Sequence, residues 1–172
     1  MPPDDAIARL ARQIDAARIA ERPLQIRAEE VAALRRQGAV QLHQICASFV
    51  ASLNSKLVHA RLELSPPTFA PEMFQASGVN LFQIGSQGRE MQITFQATPQ
   101  PFSTEKFLIP YTLEGELRAY NQKMLERFEV RTQALFYCLE DESATWRFFD
   151  WRGPQTAVVD TALLTSLMER LF

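Results

Sequence analysis

A chain of 172 residues is long enough to bury a hydrophobic core without disulfides, and it suits one domain with a protruding arm. Its 47% hydrophobic and 22% charged residues are typical of a folded protein, so neither wholesale disorder nor a membrane span is favoured. The formal net charge of −2 gives no electrostatic reason to expect a nucleic-acid partner.

The N-terminal segment is predicted to form an amphipathic helix, capped by Asp4 or Asp5, that ends before Pro23 because proline disfavours helical geometry at the preceding residue. This segment lacks the continuous apolar region of a secretory signal, which favours a cytoplasmic location. The chain therefore divides into an N-terminal helical arm, residues 1–22, and a single α+β domain, residues 23–172. The apolar residues of the arm recur at helical spacing and form the candidate oligomer interface: Ile7, Leu10, Ile14 and Ala17.

A second and longer helix is predicted from about Ala28 to about Leu57, where apolar residues continue at helical spacing. At 1.5 Å per residue it would be roughly 45 Å long. Strands of ordinary length span only about 20 to 34 Å, so such a helix overhangs a sheet and favours contact with another chain. A short strand is expected over residues 57–64, and the apolar loop that follows it is expected to pack on the core.

An antiparallel meander of about six or seven strands is predicted for the rest of the chain. A hairpin is expected over residues 80–97, then a long strand over Phe107–Ala119 with one dry face, and its partner over Phe128–Cys138. The remaining predicted elements are two strands, 145–152 and 156–159, and a C-terminal helix capped by Asp160. The predicted fold class is α+β, in which the long N-terminal helix covers the sheet.

The C-terminal strands carry apolar residues at both parities, so this end of the sheet is expected to be apolar on two faces. The C-terminal helix would cover the second face, whereas an open face would be a partner or base-stacking surface. The candidate partner surface consists of Leu135, Tyr137, Phe149 and Trp151.

No group of residues in the sequence predicts a catalytic, cofactor or metal site, and we expect no cofactor. His43 and Cys46 lie three residues apart on one helix face, but two ligands do not make a zinc site, and both cysteines are expected to be buried free thiols. Glu114, Glu116 and Glu129 could form an acid/base group, but solvated ion pairs account for them better. The chain has no phosphate loop, dinucleotide fingerprint or paired-histidine motif.

Three functions are compatible with this sequence. The first is a non-catalytic protein-interaction or assembly module that self-associates through its N-terminal helices as a homo-oligomer, expected to be a two-fold dimer, with an unknown protein partner also open. The alternative is a small-molecule or lipid carrier with an apolar cavity between the sheet and the long helix. The third is a histidine-independent enzyme that uses the same cavity. Mostly large inward side chains predict a solid core, which favours the module. The carrier cavity would lie between sheet and long helix, lined by residues such as Phe95, Tyr111, Phe128 and Phe136.

Overall fold

The computed structural model has the predicted α+β fold, in which helices precede and follow one seven-stranded antiparallel sheet. The structure describes residues 3–150, 152–153 and 155–172, and within the first helix it describes the side chains of residues 5–19 and 27–54. The chain divides into two compact units, Met1–Leu34 and Arg35–Phe172.

Helix α1 spans Pro3–Asn54 as one element. The prediction that a first helix ends before Pro23 is therefore wrong. The residues that flank this proline include alanine, leucine, glutamate and arginine, which are strong helix formers. An interior proline costs a helix roughly 3 kcal/mol, and a run of favourable residues on both sides offsets a cost of that size.

Helix α1 ends where the side chain of Asn54 binds the segment that follows. Asn54 Nδ2 donates to the Leu62 carbonyl at 2.9 Å, and Asn54 Oδ1 accepts from the Leu62 N–H at 2.8 Å. Strand β1, Glu63–Ser65, begins at the next residue. The strand predicted over residues 57–64 therefore overlaps the observed strand only at Glu63 and Leu64.

The seven strands lie in chain order, and each pairs antiparallel with the next. After β1 they are β2 Asn80–Ser86, β3 Arg89–Ala97, β4 Tyr111–Asn121, β5 Arg131–Glu140, β6 Ser143–Asp150 and β7 Gln155–Val158. A 3₁₀ turn, Pro71–Met73, precedes β2, a short helix α2, Gln122–Glu126, separates β4 from β5, and helix α3, Thr161–Glu169, follows β7. As predicted, Asp160 caps α3, because its carboxylate accepts from the Leu163 N–H at 2.9 Å.

One face of the sheet, the inner face, carries the hydrophobic core. Trp146 Nε1 donates to the Gly38 carbonyl at 2.7 Å, so residues of α1 within the second unit pack on this face. The last turns of α1 and helix α3 line one groove, which places α3 beside α1. The inner-face side chains that are at most 1% exposed are Phe82, Ile84, Met91, Ile93, Phe95, Leu113, Leu117, Leu135, Tyr137 and Trp146.

The opposite, outer face carries a second, smaller apolar cluster over β4–β6. A β-bulge between Tyr111 and Leu113 sets Tyr111 opposite Cys138 and Leu113 opposite Tyr137, so the two odd-numbered residues face opposite ways. The single dry face predicted over Phe107–Ala119 is therefore wrong at its start. The outer cluster consists of Tyr111, Phe136 and Cys138, with Phe107, Ile109, Ala134 and Phe149 packed against it.

Candidate functional site

The candidate oligomer interface lies on α1 within the unit Met1–Leu34, and its apolar side chains are open to solvent. Ile7 is 66% exposed, Leu10 56% and Ile14 59%, and Ala17 is also exposed. At 3.6 residues per turn the four lie within an arc of about 80°. Their spacing of three, four and three residues is that of the apolar seam of a coiled coil. The structure thus presents the predicted stripe as one continuous surface.

The candidate partner surface is divided between the two faces of the sheet. Leu135 and Tyr137 are fully buried on the inner face, so they are not available to a partner. Phe149 is half-buried on the outer face, where its ring lies 5.9 Å from that of Phe107. Trp151 lies outside the described residues. The pairing of β5 with β6 explains this division, because Leu135 lies opposite Phe148 rather than Phe149.

The residues proposed to line a carrier cavity do not meet at one cavity. Phe95 belongs to the inner-face core, whereas Tyr111 and Phe136 belong to the outer cluster, and Phe128 is 96% exposed. The space between α1 and the sheet is filled at Gly38, where an added Cβ would lie 2.6 Å from the Tyr137 ring.

Two of the three glutamates considered as an acid/base group are paired with cations, and the third, Glu129, lies at a different cavity. Glu114 lies 3.3 Å from Lys106 Nζ, and Glu116 lies 3.4 Å from Arg118 Nη2. Glu129 lines a different cavity from the one that Glu114 and Glu116 line. The structure thus does not bring Glu129 together with Glu114 and Glu116.

His43 is used to hold the apolar loop after β1. Its Nε2–H donates to the Pro66 carbonyl at 2.8 Å, and its ring stacks on Phe69 at a centroid distance of 5.7 Å. Phe69 also meets Phe82 of the core edge-on at 5.1 Å, so this loop packs down on the core as predicted. Among the described residues, no group of three or more His, Cys, Asp or Glu side chains is arranged to hold a metal ion.

Both cysteines are buried and unbridged, as predicted. Burial raises the pKa of the Cys46 thiol to about 12. Burial, and secondarily the charge of Glu140, raises the pKa of the Cys138 thiol to about 12. Because the thiolate is the reactive form, neither side chain is suited to nucleophilic chemistry at neutral pH.

Arg35 is a charged group that serves the fold. Its Nε donates to Thr112 Oγ1 at 2.9 Å, and its Nη2 donates to the carbonyls of Thr98 at 3.0 Å and Gln100 at 2.9 Å. Burial lowers the pKa of this guanidinium. Neutral acceptors thus occupy the guanidinium, which ties α1 to the connection between β3 and β4.

Two concave surfaces in the unit Arg35–Phe172 were not predicted. The first, called the α1–α3 groove, has a volume of about 640 Å³ and is lined mainly by apolar side chains, among them Phe49, Leu53, Leu57, Leu62, Met168 and Phe172. The second, called the arginine cavity, has a volume of about 630 Å³ and is lined by residues that include Arg131, Arg152, Arg170, Gln133, Glu129 and Asp150. Both sites are assembled from residues far apart in sequence, so no local pattern signals them.

Comparison with known protein families, with curated protein sequences and with solved structures finds no match. Among the described residues, no helix combines the length and the hydropathy that crossing a bilayer requires.

Proposed function

We propose that this chain is a non-catalytic assembly module that forms a homodimer through the N-terminal part of helix α1. The observation that carries this proposal is the exposed stripe of Ile7, Leu10 and Ile14, each more than half exposed, on one side of a helix. A helix whose apolar stripe stays in water gains little from it, and pairing with a second copy buries it.

The spacing of the stripe supports a helix–helix contact in preference to a flat protein surface. Ile7 and Ile14 take one seam position of a seven-residue repeat, and Leu10 and Ala17 take the other. Such a repeat gives knobs-into-holes packing between two helices. A seam of only two repeats buries little surface, so we expect a moderate affinity, with a dissociation constant of the dimer in the micromolar range.

The experiment compares two identical substitutions on opposite sides of the helix. Ile14→Asp places a carboxylate in the stripe, whereas Ile19→Asp places one at a residue that is also exposed, at 74%, but lies about 140° around the helix. We expect light scattering to give twice the 19.6 kDa chain mass for the parent and for Ile19→Asp, and a single chain mass for Ile14→Asp. Circular dichroism of both variants controls for loss of helix.

Two results would contradict the proposal. One is a parent chain that stays monomeric up to several hundred micromolar. The other is an Ile14→Asp variant that dimerises as the parent does, which would place the interface elsewhere.

The α1–α3 groove favours a second candidate function, the binding of an apolar small molecule or lipid. A volume of about 640 Å³ lies within the range of small-molecule sites, which are mostly apolar concavities of roughly 300 to 1,000 Å³. An uncharged fluorescent probe, N-phenyl-1-naphthylamine, tests this function. We expect it to bind the parent, to bind Leu57→Gln at least fivefold more weakly, and to bind Leu125→Gln, a change at an exposed leucine outside the groove, as the parent does. No binding to the parent would exclude this function.

A further inference from the structure

The arginine cavity brings together three cationic side chains from separate elements. Arg131 lies at the start of β5, Arg152 follows β6, and Arg170 follows α3. The cavity also contains two carboxylates, Glu129 and Asp150, so its lining has a net formal charge of about +1 at neutral pH.

None of these three guanidinium groups has a partner among the described residues. The cavity arginines take no part in the ion pairs Lys106–Glu114, Arg118–Glu116 and Arg147–Glu140. The one hydrogen bond of Arg152 comes from its backbone N–H, which donates to Asp150 Oδ1 at 3.1 Å. Asp150 thus orders the backbone at Arg152 while the guanidinium stays available. Arginine forks match the geometry of phosphate and carboxylate oxygens, which they bind through paired hydrogen bonds.

Gln133 is an independent sign of a ligand at the same cavity. Its side chain lines the cavity and is 7% exposed, and Gln133 Oε1 is buried without a hydrogen-bond partner in the described chain. Gln133 lies opposite Leu117 on the inner face, so its nearest neighbour across the sheet is apolar. An unsatisfied buried amide destabilises the folded chain, and most buried polar groups have a hydrogen-bond partner. A rotation of the Gln133 side chain towards the cavity would let an O–H or N–H group of a ligand supply the missing partner.

We propose that the arginine cavity binds a small phosphorylated molecule that bears hydroxyl groups. The arginines bind the phosphate, and the Gln133 side chain turns towards the cavity so that its Oε1 accepts a hydrogen bond from a hydroxyl group. Glu129 and Asp150 accept from further hydroxyl groups, which sets a hydroxylated ligand apart from a bare anion. The volume of about 630 Å³ is larger than one phosphate needs and suits a ligand of metabolite size.

The first experiment measures binding to the full chain by calorimetry with three probes. Glucose 6-phosphate carries both features of the proposed ligand, inorganic phosphate carries only the charge, and glucose carries only the hydroxyl groups. We expect glucose 6-phosphate to bind at submillimolar Kd, phosphate at least tenfold more weakly, and glucose not at all. Equal affinity for phosphate and glucose 6-phosphate would overturn the hydroxyl assignment, and the absence of binding by either phosphorylated probe would overturn the site.

The second experiment locates the site with variants. Arg131→Gln and Arg170→Gln are expected to weaken glucose 6-phosphate binding at least tenfold each, whereas Arg36→Gln, a change at an exposed arginine of α1 outside the cavity, leaves it unchanged. Binding that Arg131→Gln and Arg170→Gln do not affect would overturn the assignment.

A third variant separates a ligand-binding role of Gln133 from a structural one. Gln133→Leu removes the unpartnered amide while keeping a similar volume. We expect this variant to melt at or above the temperature of the parent without ligand, yet to lose at least half of the melting-temperature rise that glucose 6-phosphate gives the parent. A variant that melts well below the parent, or that keeps the full ligand-induced rise, would show that the amide serves the fold alone.

Discussion

The two faces of the sheet at β4–β6 are both apolar, but they are covered in different ways. On the inner face, Leu135 and Tyr137 are fully buried, Tyr137 lies against Gly38 of α1, and Trp146 Nε1 donates to the Gly38 carbonyl. On the outer face, the loop before β4 provides the cover. Its Phe107 ring stacks on Phe136 at 5.0 Å but stays half-buried.

This difference shows how much a regular element contributes to burial. A helix presents a residue to the sheet every three or four positions, so the inner-face side chains are sealed along the whole contact. The loop is held at a few points, such as the bridge between Ser103 and Tyr111 and the bond from the Lys106 N–H to the Tyr111 hydroxyl at 3.1 Å. We therefore expect the inner face to dominate the free energy of unfolding and the outer cover to open first.

The largest expected effect is the loss of the helical cover at α3. Leu164 is fully buried, so Leu164→Asp places a carboxylate without a partner in the core and should lower the free energy of unfolding by at least about 4 kcal/mol. The control is Ser166→Asp on the exposed side of the same helix, which should change it by less than about 0.5 kcal/mol. Urea unfolding measures both, and similar midpoints for the two variants would show that α3 does not seal the inner face.

The next effect concerns the close approach of α1 to the sheet. An exposed Gly→Ala change inside a helix stabilises by about 1 kcal/mol. In Gly38→Ala the new Cβ would lie 2.6 Å from two atoms of the Tyr137 ring, so we expect a loss of about 1 to 3 kcal/mol instead. Gly85→Ala, where the nearest atom is 3.6 Å away, should be close to neutral in the same urea titration. A gain in stability for Gly38→Ala would mean that the helix does not approach the sheet so closely.

The sequence predicted most of the sheet because alternation and turn residues are local signals. The first hairpin was predicted over residues 80–97 and is β2 and β3, and the capping role predicted for Asp160 is confirmed. Alternation failed at Tyr111, because a bulge adds one residue and reverses the parity of everything before it. Nothing in the local pattern marks that bulge.

The N-terminal stripe and the arginine cavity also differ in how far the sequence alone predicts them. The stripe of Ile7, Leu10 and Ile14 is local, so its spacing could be read directly from the sequence. The arginine cavity is lined by Arg131 and Arg152, which belong to or follow the paired strands β5 and β6, and by Arg170, which reaches it only because α3 returns to the sheet. The arginines proposed to bind the ligand resemble ordinary surface residues in the sequence. The proposed site arises only because the fold places them at one cavity beside the buried Gln133.

A smaller effect is expected from the outer cover. Phe107→Ala removes a ring that is half-buried, so we expect it to lower the free energy of unfolding by about 1 to 2 kcal/mol. Leu135→Ala on the inner face removes a fully buried side chain and should cost more, about 2 to 5 kcal/mol, although leucine is the smaller residue. Equal losses in thermal or urea unfolding would contradict the ranking of the two faces.

The last and smallest effect is a local one that separates the two covers, because one thiol lies in α1 and the other in the outer cluster. Cys46 lies in α1, and Cys138 lies in the outer cluster against which Phe107 packs. Burial raises the pKa of each thiol from 9.0 to about 12, so at pH 8 both should react slowly with Ellman's reagent, and the rates should rise as the pH approaches 12. Phe107→Ala admits water to the outer cluster and lowers the pKa of Cys138 towards 9, so we expect the reaction of Cys138 at pH 8 to be accelerated at least tenfold more than that of Cys46. Variants with a single cysteine, Cys46→Ala and Cys138→Ala, assign the two rates, and equal acceleration of both thiols would mean that the loop and the helices open together as one cooperative unit.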